Sequence, residues 1–82
     1  MRILSNEKDL SPGSLVRALR IRKGLTQHKL GLEVGKFSQE ITAIETGSEK
    51  MGLKRARAFA KFFEIPYTRF LPVDAEETVE AD

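Results

Sequence analysis

Cysteine and tryptophan are absent from this 82-residue chain, and histidine occurs once, as His28. Without cysteine there is no disulfide framework, no thiolate metal site and no thiol nucleophile. One histidine cannot build a multi-histidine metal cluster, so no metal and no cofactor is expected. Convergent acid, base and nucleophile groups are missing too, as is a glycine loop that could cradle phosphates, which argues against an enzyme. No apolar run approaches the roughly 18 residues of a membrane span. Met1-Arg2-Ile3-Leu4-Ser5 is too short for a secretory signal. A soluble, cytoplasmic binding protein of one domain, with no membrane partner, is the expectation; 40% apolar residues suffice for a small core.

What charge there is lies unevenly. All 14 lysines and arginines fall within residues 2–69, whereas five of the 12 acids (Asp74, Glu76, Glu77, Glu80 and Asp82) crowd into the last nine positions. Residues 1–73 thus hold fourteen cations against seven acids, a formal +7, and residues 74–82 carry −5. A basic body with an acidic tail suits a nucleic-acid partner. Solvated charged faces and a solubilising tail account for the same pattern equally well.

Residues 1–10 show no periodicity and read as a flexible arm. Ser11-Pro12 is a helix start, with serine as N-cap and proline in the first turn, where its missing N–H is not needed. A first helix is expected over 12–23, with Leu15, Val16 and Leu19 on its apolar face and Gly24 at its end. Thr26 caps a second helix, 26–34, with Leu30 and Val34 inward. Gly31 sits inside it at a cost of about 1 kcal/mol relative to alanine, which points to another backbone passing close by. After Gly35 a third helix, 38–46, directs Ile41 and Ile44 inward and stops at Gly47. The polar loop 48–52 leads to a fourth, 53–63, where Leu53, Ala56, Phe59, Ala60 and Phe63 share one face and Lys54, Arg57 and Lys61 form a basic stripe. Pro66 breaks the chain before a fifth short helix, 67–71, that packs Tyr67, Phe70 and Leu71. The expected architecture is all-α, five short helices in one domain over 11–72, followed by an acidic disordered tail, 73–82.

The segment from Thr26 to Gly47 is the informative one. Two short helices meeting at a tight glycine turn, with a small residue where they touch, are the sequence shape of a helix-turn-helix. Such a unit holds its second helix proud of the body, so that a polar face can enter a major groove about 12 Å wide. Lys36, Ser38, Gln39, Glu40, Thr42, Ala43 and Thr46 lie off the Ile41/Ile44 side and would form that face. Glutamine reads adenine through two hydrogen bonds, and alanine and threonine methyls can touch the thymine methyl.

These residues also resemble a known family. Leu19-Arg20, Lys23-Gly24-Leu25-Thr26-Gln27, Leu30-Gly31, Val34-Gly35, Ser38-Gln39, Ile41, Ile44-Glu45, Gly47, Ile65-Pro66 and Phe70-Leu71 look like the Cro/repressor (XRE-like) helix-turn-helix family, over about 15–71. The resemblance implies a lambda-repressor-like DNA-binding domain whose recognition helix is 38–46. It implies that Gln27 grips a DNA phosphate together with the second helix's N-terminus. Ser38, Gln39 and Ala43 would reach base edges, Lys36 and Thr42 bases or phosphates, and Thr46, Lys50 and Lys54 would clamp the backbone. His28 would lie on the surface near the phosphates. Arg20 and Glu45 match an architectural ion pair between the first and third helices, whose loss should hurt folding more than binding.

The chain departs from the family pattern in places. Phe37 stands where the third helix usually has a serine or threonine cap, so either the helix starts a residue later or Phe37 is a staple beside a Ser38 cap. Lys29 occupies the acidic position of a capping box. Glu40 on the DNA-facing helix repels phosphate unless it accepts from a cytosine amine. Phe62 falls opposite the apolar face of its helix, either packed under the arm or tail or serving as a dimer contact. The function expected is a sequence-specific, double-stranded DNA-binding transcriptional regulator, a repressor acting as a homodimer on an inverted-repeat operator. The alternative is an antitoxin or regulatory adaptor whose main partner is another protein, with autoregulatory DNA binding.

Overall fold

Ser11 and Thr26 each start a helix by the same local bond. Ser11 Oγ accepts from the Ser14 N–H at 3.2 Å, and Thr26 Oγ1 from the Lys29 N–H at 3.0 Å, satisfying donors that the first helical turn leaves over. The computed structural model describes residues 10–71. These form α1 (Pro12–Arg22), α2 (Gln27–Val34), α3 (Ser38–Thr46), α4 (Leu53–Phe63) and a single 3-10 turn, Tyr67–Phe70. Of the expected arm, only Leu10 falls within them, half-buried against the core; the rest of the arm and the acidic tail lie outside the described residues.

The fifth helix is thus corrected to a turn. Pro66 is extended (φ −63°, ψ 138°), and the bonds that follow, Arg69 N–H to the Pro66 carbonyl and Leu71 N–H to the Thr68 carbonyl, each span three residues. Four residues are too few to establish the i→i−4 ladder of an α-helix. The turn still does the packing work, because Phe70 is fully buried between Phe59 and Phe63, with ring centroids 6.0 and 6.4 Å away.

The core gathers Leu15 and Val16 of α1, Leu30 of α2, Ile41 and Ile44 of α3, and Ala56 and Phe59 of α4, all buried. Leu53 is the exception on the α4 face, 49% exposed. It is the first residue of its helix, and a helical side chain tilts toward the N-terminus, here past the edge of the body. Met51, in the nominally polar loop, is buried against the same core. Phe62 is half-buried, edge-on to Phe63 at 5.0 Å, with the Lys23 ammonium 5.5 Å from its ring centre.

Two glycines set where α3 sits. A Cβ on Gly31 would run into the Lys36 carbonyl oxygen, and one on Gly13 would run into the Ile44 carbonyl and crowd that of Glu45. The backbone before α3 therefore touches α2, and the last turn of α3 touches α1. Gly35 makes the intervening turn possible: it is left-handed (φ 74°), a conformation costly for other residues. The Gly31 carbonyl receives the Lys36 N–H at 2.8 Å across it.

Candidate nucleic-acid interface

Of the expected recognition positions on α3, Gln39, Thr42 and Thr46 are exposed, while Ser38, Glu40 and Ala43 are half-buried. The helix starts at Ser38 with Phe37 in the N-cap place and no side-chain cap bond. Neither expected remedy is adopted: the helix is not delayed, Ser38 is not the cap, and Phe37 is 78% exposed rather than stapled. The helix start rests on backbone alone, the Phe37 carbonyl accepting from Glu40 and Ile41 at 3.0 and 3.1 Å.

Behind this face lies a buried polar junction. Glu45, whose side chain is 1% exposed, receives Arg20 Nε at 2.7 Å and Nη2 at 3.2 Å; Arg20 Nη1 donates to the Leu25 carbonyl at 2.9 Å. α1, α3 and the loop before α2 are thereby tied at one point. Gln27, expected to face a phosphate, is drawn into the same junction. Its Nε2 donates to Glu45 Oε1 at 3.1 Å, and its Oε1 accepts from Thr42 Oγ1 at 2.8 Å. An amide nitrogen carries two protons, so one remains for an outside acceptor, while the Thr42 hydroxyl proton is committed inward. Thr46 likewise turns its hydroxyl back, to the Thr42 and Ala43 carbonyls at 3.0 and 3.3 Å.

Glu40 is not the bare acid that its position on α3 suggested. Arg55 reaches Glu40 Oε2 with Nη2 at 3.0 Å and Nε at 3.2 Å, and Lys36 Nζ lies 3.3 Å from the same oxygen. The Arg55 hydrogen bond chiefly, with Lys36 assisting, holds the Glu40 carboxyl below its ordinary pKa. Arg55 also donates to the Lys50 carbonyl at 2.9 Å and pairs with Glu49 at 3.3 Å. It therefore fixes the loop that carries Lys50, and sequence reasoning missed it. No spacing rule links an arginine in the first turn of α4 to a glutamate fifteen positions earlier; an acid on a face meant for phosphates was the only available hint.

The remaining expected residues lie around this frame. Lys50 and Lys54 are exposed at the loop and at the start of α4. His28 is exposed on α2 and borders a groove of about 340 Å³ whose other wall is formed by Lys36, Phe37, Ser38 and Gln39. The arrangement is a short helix that exposes Gln39, Thr42 and Thr46, with cations on its flanks and the acid on that face, Glu40, already paired with Arg55 and Lys36. It can offer hydrogen bonds and apolar methyls to a grooved polyanion.

No family model matches the chain. Over 65 residues it is 31% identical to an "uncharacterized HTH-type transcriptional regulator" of Sinorhizobium medicae and, equally, to one of Rhizobium meliloti. The matched region is 79% of this chain and 47% of each relative, so the chain spans about half the length of the curated relatives it matches. Among solved structures, Bacillus thuringiensis PlcR, in complex with the peptide PapR7 and DNA, superposes with a TM-score of 0.65 at 24% identity, covering 85% of this chain and 26% of PlcR. The all-helical fold of the described residues is thus similar to that of a part of PlcR.

Proposed function

We propose that the chain is a double-stranded DNA-binding transcriptional regulator in which α3 enters the major groove. The observation that carries this reading is the α2–turn–α3 unit, seated on backbone contacts at both ends of α3 and turning Gln39, Thr42 and Thr46 outward. The names of the two relatives and the DNA in the PlcR complex support it. Gln39, Ser38 and Ala43 reach base edges. The free Gln27 N–H, with the α2 N-terminus, takes one phosphate, and Lys36, Lys50 and Lys54 take others. His28 lies alongside. The module binds and does no chemistry.

The finer reading belongs to the Cro/repressor (XRE-like) pattern: a homodimer on an inverted repeat with half-sites about one helical turn, roughly 34–36 Å, apart, repressing by occlusion. The alternative, a protein partner bound through the arm, the tail or Phe62, would be favoured by an unpaired apolar surface around Phe62. That ring is half-buried against Phe63 beneath Lys23, which favours the DNA reading.

Selection of bound duplexes from a random library at near-physiological salt tests this. An enriched inverted repeat is the expected result. Binding without enrichment would refute sequence-specific reading.

A further inference from the structure

We propose that Phe37 reads a base: its phenyl ring contacts the 5-methyl group of a pyrimidine, thymine in unmodified DNA, at the floor of the major groove. This rests on the DNA reading above and goes beyond it, since it assigns a specificity-determining role to a residue that neither the helix pattern nor the core explains.

Phe37 is the most exposed of the large apolar side chains among the described residues, at 78%. Its ring makes no cap bond and packs into no staple. Its backbone, by contrast, is pinned: the carbonyl receives two helix N–H groups, and the preceding Lys36 is held to α2 by the Gly31 carbonyl. A fixed Cα and a free ring are what a reader needs, because the side chain is presented without further ordering of the chain. The residues just before and within the first turn of a recognition helix are the ones that meet base edges. The one apolar group on a base edge in that groove is the pyrimidine methyl, a surface that phenylalanine suits.

The surroundings favour DNA over a protein partner. Lys36, Ser38, Gln39 and His28 line the groove together with the ring. The site also lies at the positive end of the α3 dipole. Of its apolar neighbours in the groove, Leu32 is the other large exposed one, at 65%. A docking patch for protein would use both side chains alike, whereas a base-reading contact singles out Phe37.

The test uses the full chain and the duplex enriched by selection. Each thymine is replaced in turn by deoxyuridine, which removes only the methyl. One thymine per half-site should then cost the natural protein about fourfold in affinity, the value of one buried methyl. Phe37→Ala should not feel that replacement, while Leu32→Ser should feel it fully. Cytosine and 5-methylcytosine compared at the same position should differ by the same factor, since the methyl is what is read. Thermal unfolding of Phe37→Ala should match the natural protein, as the ring supports nothing in the fold. Two results overturn the assignment while leaving DNA reading intact: no thymine to which the natural protein and Phe37→Ala respond differently, or equal loss of the methyl effect in Leu32→Ser. Failure to enrich any duplex overturns the parent reading instead.

Discussion

Replacing Glu45 alone by leucine should be among the most damaging single changes in this chain. Its carboxylate accepts three hydrogen bonds, two from Arg20 and one from Gln27, in a position 1% exposed. Without it the Arg20 guanidinium, 12% exposed, keeps only the Leu25 carbonyl as partner. A buried charge stripped of its counter-charge costs about 3–5 kcal/mol, against a total stability of about 5–15 kcal/mol for a small domain. At about 4–8 °C of Tm per kcal/mol, the variant should lose upward of about 12 °C. Arg20→Met should be comparably damaging, for it leaves the acid bare. The double variant, Arg20→Met with Glu45→Leu, removes both charges and keeps the volume, so it should lie within about 1–2 kcal/mol of the natural protein. The residual cost is the Leu25 carbonyl and the Gln27 amide, both in half-buried residues that water can reach. Urea unfolding of the four proteins, followed by far-ultraviolet circular dichroism with matched slopes, reads the coupling directly. Additive losses in the double variant, or less than about 1 kcal/mol lost in Glu45→Leu, would refute the reasoning.

Gly31→Ala should destabilise. The gain in helix propensity is about 1 kcal/mol, but the new methyl meets backbone at Lys36, and forcing such a contact costs about 1–3 kcal/mol or more; a higher urea midpoint would contradict the close approach. The Glu40 carboxyl, held below its ordinary value of 4.5 by Arg55 and then Lys36, stabilises the fold fully above that value and loses its contribution as pH falls through the lowered pKa. The stability gap between the natural protein and Glu40→Gln should therefore be constant near neutrality and narrow below about pH 4.5 in urea titrations; a gap unchanged at low pH would dismiss the pairing. Gln39→Ala should lose about 1–3 kcal/mol on the selected duplex with little change on random DNA; equal losses on both would make Gln39 a positioning contact. Lys54→Ala should weaken binding to all sequences and lower the salt slope by about 1.

Much of the scaffold was legible because its signals are local. Ser11-Pro12, Thr26, Gly35 and Gly47 each act within one turn of chain, and the start of α1, both ends of α2 and the end of α3 follow them closely. The close approach at Gly31 was readable for a related reason, since a helix tolerates an interior glycine mainly where a side chain would collide. What escaped is relational. Whether Tyr67–Phe70 winds as α or 3-10 depends on how few residues fit between Pro66 and the anchored Phe70. The Glu40–Arg55–Lys50 connection joins three elements through side chains with no shared periodicity. Gln27 was placed correctly at the start of α2, but its amide is engaged by Glu45 and Thr42, which only the packing of α2 on α3 could bring within reach.

The seating of α3 on bare backbone at Gly13 and Gly31 has a consequence for how such a chain diversifies. Where two helices meet through bulky side chains, changing one alters the angle and height of the other, and any altered binding preference is confounded with a shifted scaffold. Here the two closest approaches are made by backbone atoms that every residue possesses, and the side chains that also anchor α3, Ile41, Ile44 and Glu45, are all buried, apart from its outward face. Its outward side chains can be exchanged like a cartridge in a fixed holder. A lineage, or an engineer, could move among target sequences by changes at Phe37, Gln39 and Ala43 alone, each variant inheriting the same docking geometry.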